Sequence, residues 1–329
     1  MAKAEKMKCI EISQFGNPDV LVLNSRPIPV ARPGEVLVKI DAAGINGPDL
    51  VQRKGLYPAP KGASDLLGLE VAGTIEAVGE GVVNWLPGDA ICGLTNGGGY
   101  AEYVAINAHH CLPIPDGLSF IEAASLPETY FTIWSNIFMT AGLCEGEIYL
   151  VHGGAGGLGT TSIQLAKAFG ASVVATDSPH ERCIICNELG ADRVVDYQEE
   201  DFVDVVRQEY AGAHVILDTI GGPYIERNIK AARPDARIIQ LAFNLGSEVK
   251  INLMPIMLKR IIYTGSTLRS RPDAYKAEVA AQLYETVWPL FKTRRLKSVV
   301  ENILPLENAS KAHALMESAE HKGKIVLTP

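Results

Sequence analysis

Leu150-Val-His-Gly-Gly-Ala-Gly-Gly-Leu-Gly159 is the stretch whose reading decides the fold. Ile148 to Val151 has the apolar character of a buried strand, and the glycines lead into a helical run from Thr160 to Phe169 that stops at Gly170. Gly154, Gly156 and Gly159 match the spacing G-x-G-x-x-G. In that spacing the first glycine permits a tight turn, the second lets the backbone approach phosphates, and the third lets the helix sit close on the strand. Gly157 and Leu158 open the helix, whose amino end carries unpaired N–H donors and a positive dipole. The pattern therefore predicts a backbone cradle for a dinucleotide pyrophosphate. Ser172 to Thr176 reads as the next strand, which sets the turn in a β-α-β unit rather than leaving it an isolated glycine turn.

Outward from this unit, apolar strands alternate with amphipathic helices from Ala123 onward. The strands are expected at Ile148 to His152, Ser172 to Thr176, Arg193 to Val195, Val215 to Asp218, Ala236 to Leu241 and Ile261 to Thr264. Six strands with crossovers predict a doubly wound, parallel Rossmann sheet. Residues 8 to 115 differ, with short strands punctuated by Gly and Pro: Val36 to Ile40, Val71 to Val78, Ala90 to Gly93 and Tyr100 to Ile106. That half reads as an irregular β-barrel. The helix Ala274 to Leu290 and the strand Lys324 to Leu327 do not extend the parallel sheet and are assigned back to the β-rich part. The expected division is 1–126 with 267–329, and 127–266.

The chain has 329 residues, 47% hydrophobic and 21% charged, with a net charge of −8 and no basic cluster. Those values fit a two-domain α/β protein and exclude nucleic acid or an anionic membrane as the main partner. No apolar run approaches the ~20 residues of a membrane span, and Met1 to Met7 lacks the apolar core of an export signal. The expectation is a cytoplasmic enzyme. Cys9, Cys92, Cys111, Cys144, Cys183 and Cys186 are scattered, as free thiols would be. Cys183-x-x-Cys186 lies in a helical pattern without a second pair, which favours packing over metal binding. His109, His110 and His152 read as structural.

Several separate blocks resemble the medium-chain dehydrogenase/reductases, and among them the zeta-crystallin-like quinone oxidoreductases. They are Ala43-Gly-Ile-Asn-Gly-Pro-Asp-Leu50, Gly55-Leu-Tyr-Pro58, Gly68-Leu-Glu-Val-Ala-Gly73, Gly97-Gly-Gly-Tyr-Ala-Glu102, Leu126-Pro-Glu-Thr129, the glycine turn and Gly323-Lys-Ile-Val-Leu327. The resemblance implies a GroES-like substrate domain joined to a Rossmann domain, with a cleft between them. Zinc-dependent relatives carry Cys and His where this chain has Asn46 and Leu69, so it implies a zinc-independent enzyme. Without zinc to acidify an alcohol, the implied reaction is hydride delivery to an acceptor that is already electrophilic, a quinone or an α,β-unsaturated carbonyl.

Asn46, Asp49 and Tyr57 match the acceptor-side positions of relatives. The tyrosine matching Tyr57 positions the acceptor in quinone reductases and donates a proton in enoyl-thioester reductases; packing of its loop is the structural alternative. Asp49 reads equally as a structural partner inside the barrel. For the cofactor, the resemblance implies NADPH, whereas Asp177, 18 residues after Gly159, is placed to accept ribose hydroxyls of NADH. Arg182 suits a phosphate, and Ser178 and Tyr197 occupy matching positions. Use of both NADPH and NADH is expected. Thr129 reads as a cofactor contact or a helix cap, and Phe243 and Asn244 lie where a strand's carboxyl end meets ligand. Arg269 and Arg271 lie in a segment near the cofactor in relatives.

The function expected is a zinc-independent NAD(P)H-dependent quinone oxidoreductase. The alternatives are an enoyl-thioester or alkenal double-bond reductase, and a cofactor-binding structural or regulatory protein. Relatives associate through the edge of the cofactor sheet, so a homodimer is expected, with Asn252 to Leu258 either at that edge or in a core helix.

Overall fold

Alternating apolar residues start the first unit and continuous apolar runs fill the second, and the computed structural model, which describes residues 5–329, resolves the two patterns into separate units. The first holds the described residues up to Phe131 together with Arg269–Pro329, and the second is Thr132–Leu268. Both boundaries fall slightly later than the sequence predicts. Tyr130 explains the first, because its ring lies 6.0 Å from that of Trp288 and 5.5 Å from that of Phe291, and so ties the start of the helix Pro127–Ile133 to the first unit.

In chain order the first unit begins with β1 (Lys6–Ile12), β2 (Leu21–Pro27), β3 (Glu35–Gly44), β4 (Glu70–Val78), β5 (Ala90–Leu94), β6 (Tyr103–Asn107) and β7 (Cys111–Pro113). The second unit contributes β8 (Ile148–His152), β9 (Ser172–Asp177), β10 (Arg193–Asp196), β11 (Ala213–Asp218), β12 (Ala232–Gln240) and β13 (Ile262–Gly265). The chain then returns with β14 (Val300–Pro305) and β15 (Lys324–Thr328).

In the first unit β1 and β2 form an antiparallel hairpin, and the other strands form a seven-stranded sheet of order β14-β15-β3-β4-β5-β7 with β6 on β3. The long strand β3 organises it: Glu35–Lys39 pairs with β6, while Ala43 and Gly44 pair with Leu327 and Val326 of β15. Val36, Val38 and Ile40 alternate inward against Val71, Ile75, Ile91, Val104 and Ile106. The expected strand Tyr100 to Ile106 is shorter at its start, because Tyr100 buries its side chain and Ala101 bridges only to Cys9. The expected helix Ala274 to Leu290 is Asp273–Gln282, a π-helical turn over Leu283–Val287, and Trp288–Lys292. Pro289, which lacks an N–H, stands just after the widened turn.

The second unit has six parallel strands in the order β10-β9-β8-β11-β12-β13. The order reverses beside β8, and the carboxyl ends at that reversal are where such sheets bind ligands. Leu150, Val174, Ile216 and Ile238 are fully buried, as strands covered on both faces require. Among the described residues no helix is long and apolar enough to cross a membrane.

Candidate active site

The chain leaves β8 at His152, turns through the glycines and enters the helix Gly157–Ala168. The residue with positive φ is Gly153, at 70°, so the tight turn expected at Gly154 belongs one residue earlier. Gly154 is required for space: a Cβ there would stand 2.6 Å from Cys186 Sγ. Gly159 faces the carbonyl of Gly153 so closely that no side chain fits. Gly156 is different, since its Cβ position meets nothing nearer than Gly153 O at 3.4 Å. As the N-cap it also offers no side chain to the N–H groups of Gly157 and Leu158. An open turn with outward backbone donors fits an anionic ligand.

Asp177 ends β9 and braces this turn. Its Oδ2 accepts the N–H of Ala155 at 2.7 Å, and its Oδ1 accepts Ser178 N–H at 2.9 Å and Arg182 Nε at 2.7 Å. The two residues that point to different cofactors in the sequence are one buried ion pair in the fold. Beside them Ser178 Oγ is buried without a hydrogen-bond partner. Tyr197 donates its N–H to Asp177 O at 3.3 Å, which brings a ring that is 44% exposed to the same strand ends. Phe243, 46% exposed, and Asn244 follow β12 in a loop held to the end of β11 by Asn244 N–H to Thr219 O at 3.4 Å. Cys183 and Cys186 are buried, and burial raises both thiols, Cys183 to about 11.

In the first unit Asn46 and Asp49 stand at the start of the helix Gly47–Arg53. The Asp49 carboxylate accepts Asn46 N–H at 2.9 Å, Gly68 N–H at 3.0 Å and the Tyr100 hydroxyl at 3.3 Å. It is fully buried, and burial raises it to about 6 even though the backbone donors, Lys324 and Arg269 favour its charge. Behind it Tyr100 meets His313 Nε2 at 3.0 Å, His313 Nδ1 meets Arg53 at 3.1 Å, and Arg53 pairs with Glu317 at 2.6 Å. A guanidinium only donates, so His313 accepts at Nδ1, carries its proton on Nε2 and donates to Tyr100, which donates to Asp49. Burial, with Arg53 adding to it, lowers His313 to about 3 and keeps it neutral.

The Asn46 side chain also bonds to two residues from other strands. Its Nδ2 donates to Glu70 Oε1 at 2.9 Å, and its Oδ1 accepts from Lys324 Nζ, which also pairs with Glu70 Oε1. Glu70 Oε2 accepts Glu128 N–H at 2.8 Å. All three side chains are buried. Glu70 and Lys324 are not among the residues singled out from sequence; the available signal is that each puts a charge, of opposite sign, directly ahead of an apolar run, Val71-Ala-Gly73 and Ile325-Val-Leu327. Among the described residues no group of three or more His, Cys, Asp or Glu is placed to hold a metal ion. The Thr129 hydroxyl turns back to the residues just before its helix, Ser125 O at 3.3 Å and Leu126 O at 3.2 Å.

Tyr57 is half-buried in the loop after the helix, with the Arg269 guanidinium 5.4 Å from its ring centre. Burial raises its phenol and Arg269 acts against that shift. Arg269 is fixed by Asn96 O at 2.6 and 2.9 Å and Gln52 Oε1 at 2.7 Å. Arg271 instead covers Tyr275 at 4.6 Å. No hydrogen bond joins Tyr57 to Asn46 or Asp49, so the fold clusters Asn46 with Asp49 and sets Tyr57 beside Arg269.

Residues 32–116 match the alcohol dehydrogenase GroES-like domain and residues 157–285 match the zinc-binding dehydrogenase domain. The quinone oxidoreductase of Rattus norvegicus is 30% identical over 336 aligned positions that cover 99% of each chain. The chain belongs to the medium-chain dehydrogenase/reductases, on their quinone-oxidoreductase-like branch. The family's members are also its structural neighbours. Escherichia coli quinone oxidoreductase complexed with NADPH superposes with a TM-score of 0.86 at 27% identity, covering 98% of this chain and 100% of that one. An NAD-dependent alcohol dehydrogenase superposes with a TM-score of 0.87 at 30% identity, with the same coverage. The first unit is thus the family's GroES-like domain, the second its Rossmann domain, and the protein a nicotinamide-dependent oxidoreductase.

Two outcomes are expected. Gly159→Ala should cost about 1–3 kcal/mol in urea unfolding, through overpacking against Gly153, whereas Gly156→Ala should stay within about 0.5 kcal/mol of the parent and weaken NADPH binding. Asp49 has a folded pKa above its unfolded one, so its stabilising contribution is full below about pH 4 and is lost as pH rises through about 6. Relative to Asp49→Asn, the parent should therefore lose on the order of 3 kcal/mol between pH 4 and pH 7.5, read by urea unfolding at each pH.

Proposed function

We propose that the protein is a cytoplasmic NAD(P)H:quinone oxidoreductase that works without zinc. The observation that carries this reading is the donor set at Asn46: an amide held by a carboxylate and an ammonium, where an alcohol dehydrogenase needs metal-ligating groups. Such a site can orient and stabilise an oxygen that gains charge, but it has nothing to acidify an alcohol. When bound, the dihydronicotinamide supplies a hydride. The N–H groups of Gly157 to Gly159 hold the pyrophosphate next to Gly156, whose own N–H closes the turn onto Gly153 O, with Asp177 bracing the turn through Ala155. Thr129, Phe243 and Asn244 complete the proposed cofactor contacts, Ser178, Arg182 and Tyr197 those to the adenosine end. Asn46 and Tyr57 orient the acceptor oxygen, worth about 10²-fold in rate, and Asp49 fixes the backbone of Asn46.

Arg182 offsets the charge of Asp177, so a 2′-phosphate is not repelled by an isolated carboxylate, which supports use of both cofactors. The kcat/KM values for NADPH and NADH should lie within about 10³ of each other. Arg182→Ala, which strips Asp177 of its partner, should lower kcat/KM for NADPH more than for NADH.

The second reading, an enoyl-thioester or alkenal reductase, is favoured by the Arg269 charge beside Tyr57, which eases proton donation by the phenol. A substrate panel separates the two. NADPH oxidation should be fastest with 1,2- and 1,4-quinones and should survive Tyr57→Phe to within about tenfold. Preference for an alkenal or enoyl-CoA, abolished in Tyr57→Phe, would replace the first reading with the second.

We also propose a homodimer through β13, the edge strand of the Rossmann sheet. The preceding helix Met254–Lys259 buries none of its residues, and Met257 and Ile262 are 69% and 59% exposed. Ile256 packs this helix against the core of the second unit, while Met254, Met257 and Leu258 face outward. Sedimentation should give a dimer, and Met257→Glu with Ile262→Lys a folded monomer; a parental monomer removes the proposal.

A further inference from the structure

Resting on the quinone reading, we propose that Lys324 is a positioning residue that acts through Asn46, fixing and polarising its amide as the donor to the oxygen of the reduced acceptor. An asparagine amide can sit in either of two orientations, and the atoms around it decide which. Here the choice is forced. The Lys324 ammonium only donates, so it must face Oδ1, and the Glu70 carboxylate only accepts, so it must face Nδ2. Rotating the amide by half a turn would set N–H against ammonium and oxygen against carboxylate, and lose both bonds at once.

Nδ2 carries two protons. One goes to Glu70 Oε1, and the other has no protein acceptor among the described residues. Lys324 on the carbonyl oxygen draws density through the amide and makes that remaining N–H a stronger donor. Lys324 also neutralises Glu70, whose bare charge would otherwise repel an anion forming nearby. With the dihydronicotinamide bound, a hydride would leave its C–H bond and form an O–H bond at one quinone oxygen, so that the acceptor gains two electrons and the nicotinamide is oxidised. The other carbonyl oxygen would become the oxyanion of a hydroquinone monoanion, and solvent would protonate it afterwards. The Asn46 donor thus bonds the product-like oxygen more strongly than the ground-state carbonyl, which is the condition for accelerating the step.

Lys324→Met alone would strand the Glu70 charge in the interior and can fail to fold. The test therefore uses Lys324→Met/Glu70→Gln, Lys324→Arg and Asn46→Ala, each checked by thermal unfolding and by NADPH affinity. Two quantities are read: kcat with 1,4-benzoquinone, and the absorbance titration of 4-nitrophenol bound in the presence of saturating NADP+, in which the phenolate stands in for the oxyanion. The parent should bind phenolate in preference to phenol. The neutral pair should lose about tenfold of that preference and 10–100-fold in kcat, with NADPH affinity unchanged. Lys324→Arg should stay within about threefold. In the Asn46→Ala background, the neutral pair should cost less than about twofold more, because Lys324 acts through that amide.

Full phenolate preference in the folded neutral pair, or an equal further loss in the Asn46→Ala background, overturns the proposal. If the neutral pair does not fold, Asn46→Ala decides: a retained phenolate preference sinks the idea, and its loss together with near-parental Lys324→Arg supports it. A parent that ignores quinones yet shows Lys324-dependent phenolate selectivity would contradict the quinone reading while leaving the role of Lys324 in place.

Discussion

Glu70 brings a negative charge into the interior of the GroES-like domain, and three distant parts of the chain are arranged around it. Asn46 just after β3, Lys324 at the start of β15 and the N–H of Glu128 at a helix start all bond to its carboxylate. Gly44 must lack a side chain because Glu70 Cδ and Ala124 O lie 2.7 and 2.8 Å from where its Cβ would be. Taking an ion pair out of water costs more than a hydrophobic contact of similar volume would, so such a pair contributes specificity more than net stability. Its specificity is concrete: it fixes the orientation of one amide, and with it the direction of one donor.

The two domains build their polar sites with different chemistry. The Rossmann unit uses backbone, with Gly153 supplying the turn, Gly156 the opening and Asp177 a brace through Ala155. The GroES-like unit uses buried side chains whose polarity is set in chains of bonds. Arg53, His313, Tyr100 and Asp49 form one such chain, and Lys324, Asn46 and Glu70 form another. Buried cations accumulate in this unit, at Arg53, Arg269, Lys276 and Lys324, in a protein whose net charge is −8. Overall acidity therefore says nothing about the field inside the GroES-like domain.

What was legible in the sequence is local chemistry. Six parallel strands follow from apolar runs between helices, and the cofactor turn follows from glycine spacing, since both depend on residues close together in the chain. Local pattern placed the positive φ one residue late, because Gly153 and Gly154 are adjacent and only the path of the backbone distinguishes turn from close approach. The ion pair of Asp177 with Arg182 was hidden for a similar reason: both residues were visible, but whether they face a ligand or each other is a matter of geometry. Least legible were the long-range partners. Lys324 meets Glu70 across 254 residues, and His313 meets Tyr100 across 213, through strand register and helix packing that no short window contains.

The most direct test of the account is a crystal structure of the protein with NADP+ and a hydroquinone. The expected result is the pyrophosphate against the N–H groups of Gly157 to Gly159, and an acceptor oxygen within hydrogen-bond distance of Asn46 Nδ2, with Lys324 still on Oδ1. A hydroquinone bound away from Asn46, or an Asn46 amide turned with Oδ1 toward Glu70, would contradict it.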